Sequence, residues 1–108
     1  MHIERKHNVA KAEAIRKLDS LVDALTHQEL PAGVKVQDAS HDWSENVMRF
    51  SFKAKKSFFG VTIAGVVRVD EESLILDADV PVLVTAFVSE DQIQRKINEQ
   101  LDVSFGPA

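Results

Sequence analysis

The sequence predicts an α+β domain: a helix, a four-stranded antiparallel β-meander and a second helix, with both helices packed on one face of the sheet. Three observations carry this. Two segments, one towards each end of the chain, repeat apolar residues every three or four positions. Between them, apolar and polar residues alternate through four shorter segments separated by polar turns. Each segment therefore has one apolar side, and stacking the helical stripes on the apolar side of the sheet buries them all together. A chain of this length, residues 1–108, is expected to form one domain around one core.

The first helix is expected from Val9 to about His27. Val9, Ala12, Ile15, Leu18, Val22 and Leu25 line one face with Leu21 beside them, and Lys11, Glu13, Lys17 and Asp23 line the other. Asn8 stands where an N-cap would accept a free backbone N–H. Pro31 and Gly33 end the segment, because proline cannot continue the hydrogen-bond ladder and glycine frees the backbone. Val34 and Val36 then mark a short first strand, and the small polar residues from Asp38 to Asn46 read as a loop or wide turn. Met48, Phe50, Phe52 and Ala54 alternate with Arg49, Ser51, Lys53 and Lys55 in the clearest half-buried strand. Lys56 and Ser57 form its turn. Val61, Ile63, Val67 and Val69 belong to the next strand, and Leu74, Leu76, Ala78 and Val80 to the last, across a tight turn at Asp70–Ser73. The apolar run from Val82 to Val88 fits strand or helix equally. Ser89 followed three places later by Gln92 is a capping box, and Ile93, Ile97 and Leu101 give the helix after it an apolar stripe.

The turns suggest registers. Pairing Phe52 with Val61 sets Phe50 opposite Ile63, and pairing Asp70 with Ser73 sets Val69 opposite Leu74. On the outer face these registers align Arg49, Ala64 and Asp79 in one row, so that Arg49 neutralises Asp79.

Composition narrows the chemistry. With no cysteine there are no disulfides, thiolate nucleophiles or cysteine-ligated metals. No apolar run approaches the roughly 20 residues of a membrane span, and the polar N-terminus does not resemble a signal peptide, so a cytoplasmic protein without a transmembrane segment is expected. The net charge of −4 argues against nucleic acid as a partner. It is unevenly spread: residues 1–56 carry ten basic and eight acidic side chains, residues 57–108 three and nine.

No catalytic residue, cofactor site or metal site emerges. His2 and His7 lie near a terminus expected to be mobile, and His41 with Asp38 and Asp42 is an ordinary solvated loop more readily than a metal site. Asp77 and Asp79 share one strand face and offer paired carboxylates for acid–base work, as a wet strand face also would. Lys53, Lys55 and Lys56 with Phe58 and Phe59 form a basic, aromatic cluster at a turn, suited to an anionic or amphipathic surface. Trp43, the only tryptophan, is either a lid over the core edge or an anchor for a partner.

The order of punctuating residues adds a resemblance. Ile3, His7-Asn8-Val9, Ala12 and Ala14 lead into the helix, and Trp43 precedes the strand of Phe50 and Phe52. Gly60-Val61 and Ile63, then Val67-Arg68-Val69-Asp70-Glu71-Glu72, and the terminal Ile93, Ile97, Leu101-Asp102 helix follow. Over nearly its whole length the chain resembles the polyhydroxyalkanoic acid system protein family, small bacterial proteins associated with polyester-granule genes. The resemblance implies a setting in polyhydroxyalkanoate storage and no reaction. The expected function is a non-enzymatic accessory protein binding a granule surface or a granule-associated protein through Trp43, Lys53, Lys55, Lys56, Phe58 and Phe59. A homodimeric scaffold pairing through the outer face, with Val47, Ala64 and Val66, or through an edge strand is the alternative, and a small enzyme using Asp77 and Asp79 ranks third.

Overall fold

The computed structural model describes residues 1–25, 27, 33–81 and 89–106. Among these the order is β1 (His2–Lys6), α1 (Lys11–Leu25), β2 (Lys35–Ser44), β3 (Val47–Lys56), β4 (Phe59–Val69), β5 (Ser73–Asp79) and α2 (Glu90–Phe105). The strands form one antiparallel sheet in the order β1-β5-β4-β3-β2. Pro31 and the segment Val82–Val88 fall outside the described residues.

The α+β class and the meander from β2 to β5 stand as expected, but among the described residues the sheet has five strands. The N-terminal residues, expected to be mobile, form β1 along the edge of β5, with Ile3 opposite Leu76. Ile3 is buried, and Arg5, on the same side, reaches α2 with its guanidinium. One apolar residue is enough for a strand that, among the described residues, pairs its backbone with β5 alone. Between β1 at one edge and β2 at the other the chain must cross the sheet. Fifteen residues of α1 extend about 22 Å at about 1.5 Å per residue, close to the roughly 19 Å that separates the outermost of five strands.

Ala10, not Asn8, accepts the first helical hydrogen bond of α1, from Ala14 N–H at 2.9 Å. Asn8 sits in a bend two residues earlier, because the backbone of His7 is still tied to Glu72 O at 2.9 Å. Ala14, Leu18 and Leu21 then face the sheet, and Leu101 of α2 joins the same cluster with Met48, Val67, Val69, Leu74 and Leu76. A second cluster joins Ile93 of α2 to Val34, Ala54 and Ile63. Both helices therefore lie on one face, and an apolar space of about 140 Å³ remains between them and the sheet. The capping box opens α2 as expected: Ser89 Oγ accepts from Gln92 N–H at 3.1 Å and Gln92 Oε1 from Ser89 N–H at 3.1 Å.

Two expectations about the strands need correction. Asp38–Asn46 is not a loop; most of it belongs to β2, which bulges between Gln37 and Ser40 and continues through Trp43 to Ser44. Asp38 takes a positive φ of 52° at that bulge. The β3–β4 register is also two residues from the expected one. Phe52 faces Ile63 and Phe50 faces Gly65, because the hairpin turns at Ser57–Phe58, with φ of 53° at Ser57, rather than at Lys56–Ser57. A shift of two preserves the faces and changes the rows. Arg49 is thus opposite Val66, with Asp77 next in that row, and Asp79 is opposite Ala64, with Ser51 beyond it. The Val69–Leu74 pairing is as expected. Phe50 lies so close over Gly65 that a Cβ there would come within 2.8 Å of its ring and 2.5 Å of Asp77 O. Only glycine fits.

Candidate functional site

The β3–β4 hairpin is the most exposed apolar feature among the described residues. Its last pair is Lys56 with Phe59, and its two-residue turn leaves Phe58 fully exposed and Phe59 51% exposed. Alternation along β3 puts Lys53 and Lys55 on the outer face behind the tip, where they pair with Thr62 and Gly60. Lys35 of β2 adds a third amine beside Lys55. The stem of Lys53 runs across Gly60, 3.5 Å from where a Cβ would stand. Its amine lies 3.9 Å from Asp38 in the β2 bulge. Lys56 falls on the opposite face and is half-buried. The expected cluster of Lys53, Lys55, Phe58 and Phe59 is therefore brought together, with Lys56 at its back.

Trp43 does not belong to that cluster. It faces Met48, eight residues from Lys56 along β3 and so about 26 Å away at about 3.3 Å per residue. Its ring packs against the main core from the edge of β2. The indole Nε1–H donates to Asp19 Oδ1 of α1 at 3.1 Å, and His41 Nε2 meets the same oxygen at 2.8 Å. These two bonds hold the Asp19 carboxyl below its ordinary 3.8, the one from His41 contributing most and the one from Trp43 next. Sequence reasoning had no means of finding Asp19, since its partners lie 22 and 24 residues further on. His41 and Asp42 are consecutive in β2 and point to opposite faces. Among the described residues no three metal-ligating side chains converge.

The outer face of the sheet forms a shallow trough of about 700 Å³, crossed by Ser40, Arg49, Ser51, Ala64, Asp77 and Asp79. Asp77 is bonded to the imidazole of His2, a residue that sequence reasoning left in a mobile tail. The hydrogen bond and charge of Asp77 raise the His2 pKa above 6.5, and Glu4, 3.7 Å from the ring, adds to this. Asp77 and Asp79 share this face, but Asp79 has Ala64 as its cross-strand neighbour.

The molecule is thus a small sheet-based α+β protein whose polar and aromatic chemistry lies on an open face and a hairpin tip. No helix among the described residues is long and apolar enough to cross a membrane. The chain belongs to the polyhydroxyalkanoic acid system protein family, whose model matches residues 1–105. No curated protein and no solved structure matches it. The family's description links it to a polyhydroxyalkanoate system and names no reaction.

Proposed function

We propose that this protein is a non-enzymatic, cytoplasmic accessory factor of polyhydroxyalkanoate storage that attaches to the granule surface through its β3–β4 tip. The observation that carries this is the complete exposure of Phe58 at the end of a hairpin, next to a half-exposed Phe59. Burying a phenylalanine side chain is worth about 1.5–3 kcal/mol, so two adjoining exposed rings at one tip can contribute that much each to contact with another surface. Lys35, Lys53 and Lys55 behind the tip suit an anionic boundary, each amine near such a surface adding about 1 kcal/mol. The hairpin sets the order of contact: the rings enter and the amines remain at the interface.

The test is co-sedimentation of the folded protein with polyhydroxyalkanoate particles, bare and carrying their native coat. Wild type is expected to sediment with bare particles, and Phe58→Ala/Phe59→Ala to bind about 30-fold or more weakly, the equivalent of about 2 kcal/mol. Lys53→Gln/Lys55→Gln should weaken binding and flatten its salt dependence. Unchanged binding of the phenylalanine double variant would sink the proposal. Sedimentation with coated particles alone would transfer the role to a granule-associated protein as partner.

A further inference from the structure

The outer sheet face bears a charge pattern that is its own complement. In register across the five strands, one row reads Asp42, Arg49, Val66, Asp77 and His2. Its charges run negative, positive, neutral and negative, ending on a histidine whose cationic form Asp77 favours. Arg49 is exposed, and the side chains of His2 and Asp77 are each 56% accessible. When the row is turned end for end about Val66, each charge meets its opposite: Arg49 meets Asp77, and Asp42 meets His2. The adjacent rows exchange no opposite charges, but they bring compatible groups together. On one side Ala64 is the centre, and Ser51 exchanges with Asp79 as hydrogen-bond donor to carboxylate. On the other, half-buried Val47 and Ile75 exchange places about Arg68. Two copies of Arg68 would approach one another on the centre line, but each guanidinium lies 3.4 Å from Asp70 of its own chain.

We propose that a second copy of this chain docks on the outer face, sheet against sheet, about a two-fold axis running along β4 through Ala64 and Val66. Such an isologous contact requires a self-complementary patch, which is what these rows provide. The area fits as well. Five strands about 4.8 Å apart, the longest of 11 residues at about 3.3 Å each, present about 600–800 Å², near the roughly 800 Å² per partner of a standard interface. Packed sheets lie about 10 Å apart, a gap that an arginine and an aspartate span together. Their packing angle of about 30° displaces row ends more than row centres. The two Arg49–Asp77 pairs, one strand from the axis, therefore dominate over the outer Asp42–His2 pairs. This docking uses none of the tip residues and does not depend on granule attachment.

Sedimentation equilibrium of the full chain tests the arrangement. Wild type is expected to dimerise, with a dissociation constant that rises with salt. Arg49→Asp and Asp77→Arg each place like charges at both symmetric sites and should raise that constant by about 100-fold or more. An equimolar mixture of the two variants should dimerise again to within about tenfold of wild type, because the mixed pair restores opposite charges at both sites. Circular dichroism checks that each variant is folded; if a reversal unfolds the chain, Arg49→Ala and Asp77→Ala replace it, each weakening the dimer without the rescue. A wild type that stays monomeric at millimolar concentration would overturn the proposal. So would substitutions that leave the constant unchanged, or folded reversal variants that fail to associate when mixed.

Discussion

Removing the Asp19 carboxylate separates the two roles open to Trp43. Asp19→Ala leaves the indole N–H and His41 Nε2 without the oxygen both now reach, at 3.1 and 2.8 Å. Hydrogen bonds to a charged group are worth about 1.5–3 kcal/mol each when water is kept out. Here water competes, since the Asp19 side chain is 46% accessible and that of His41 20%. A discounted total of about 1–2 kcal/mol is therefore expected for the pair. In urea this lowers the unfolding midpoint by about 1 M, for a slope of about 1–2 kcal/mol per molar. The assay has its own reporter, because Trp43 is the only tryptophan and its fluorescence follows the same contact.

The pH dependence gives the experiment a second readout. His41 and Trp43 lower the Asp19 pKa from 3.8, so its contribution is present above that value and fades as pH falls through the lower folded-state value. The gap between wild type and Asp19→Ala should be full at pH 7 and narrow steadily in acid. Equal midpoints at pH 7, or a gap that stays undiminished in strong acid, would refute the assignment. If Asp19→Ala left stability unchanged and abolished partner binding, Trp43 would be an anchor for a partner instead of a lid tied to α1.

Gly65→Ala should destabilise the fold by about 2 kcal/mol or more, near the upper end of overpacking costs, because the new methyl meets the backbone of Asp77 and Ala78 at 2.5 and 2.9 Å; a melting temperature within about 3 °C of wild type would show that the strands move apart more easily than this geometry allows. The imidazole of His2 should titrate above 6.5 by nuclear magnetic resonance and return towards 6.5 in Asp77→Asn. Its pKa being raised, the stabilising pair is fully present below 6.5 and is lost as pH rises through the elevated value. A midpoint at 6.5 in both proteins would remove His2 from the outer-face row.

The core of the fold was legible in the sequence because its pattern is local. Met48 through Ala54 alternate without interruption, Leu74, Leu76 and Ala78 keep the same period with only Ile75 breaking it, and Ser89 and Gln92 announce α2 within four residues. β1 was illegible for the opposite reason. An edge strand held by backbone pairing to residues more than 65 positions away needs only Ile3 inside, and one residue has no period. The second half of β2 was hidden in the same way. Ser40, Asp42 and Ser44 face water and His41 and Trp43 satisfy Asp19 across the edge, so a polar composition concealed an alternating strand. At the tip, Phe58 and Phe59 were recognisable from their place at a turn. The rows behind them were not, because moving a turn by one residue moves a register by two and leaves every face unchanged.

The two proposed surfaces are related by geometry. A two-fold axis parallel to β4 preserves strand direction, so both β3–β4 tips of a dimer would emerge at the same end, roughly a sheet-to-sheet distance of about 10 Å apart. Two Phe58 rings and two sets of lysines then address one surface together, and the second contact forms at the high effective concentration set by the first. Avidity of this kind needs no new contact. It makes the outer face matter for attachment although no residue of the face touches the granule. A monomeric Arg49→Asp chain would keep its tip intact and bind with the strength of one hairpin, whereas Phe58→Ala/Phe59→Ala would leave the dimer whole and remove attachment. Each surface can therefore fail without the other, and the steepness of binding against protein concentration shows whether they act together.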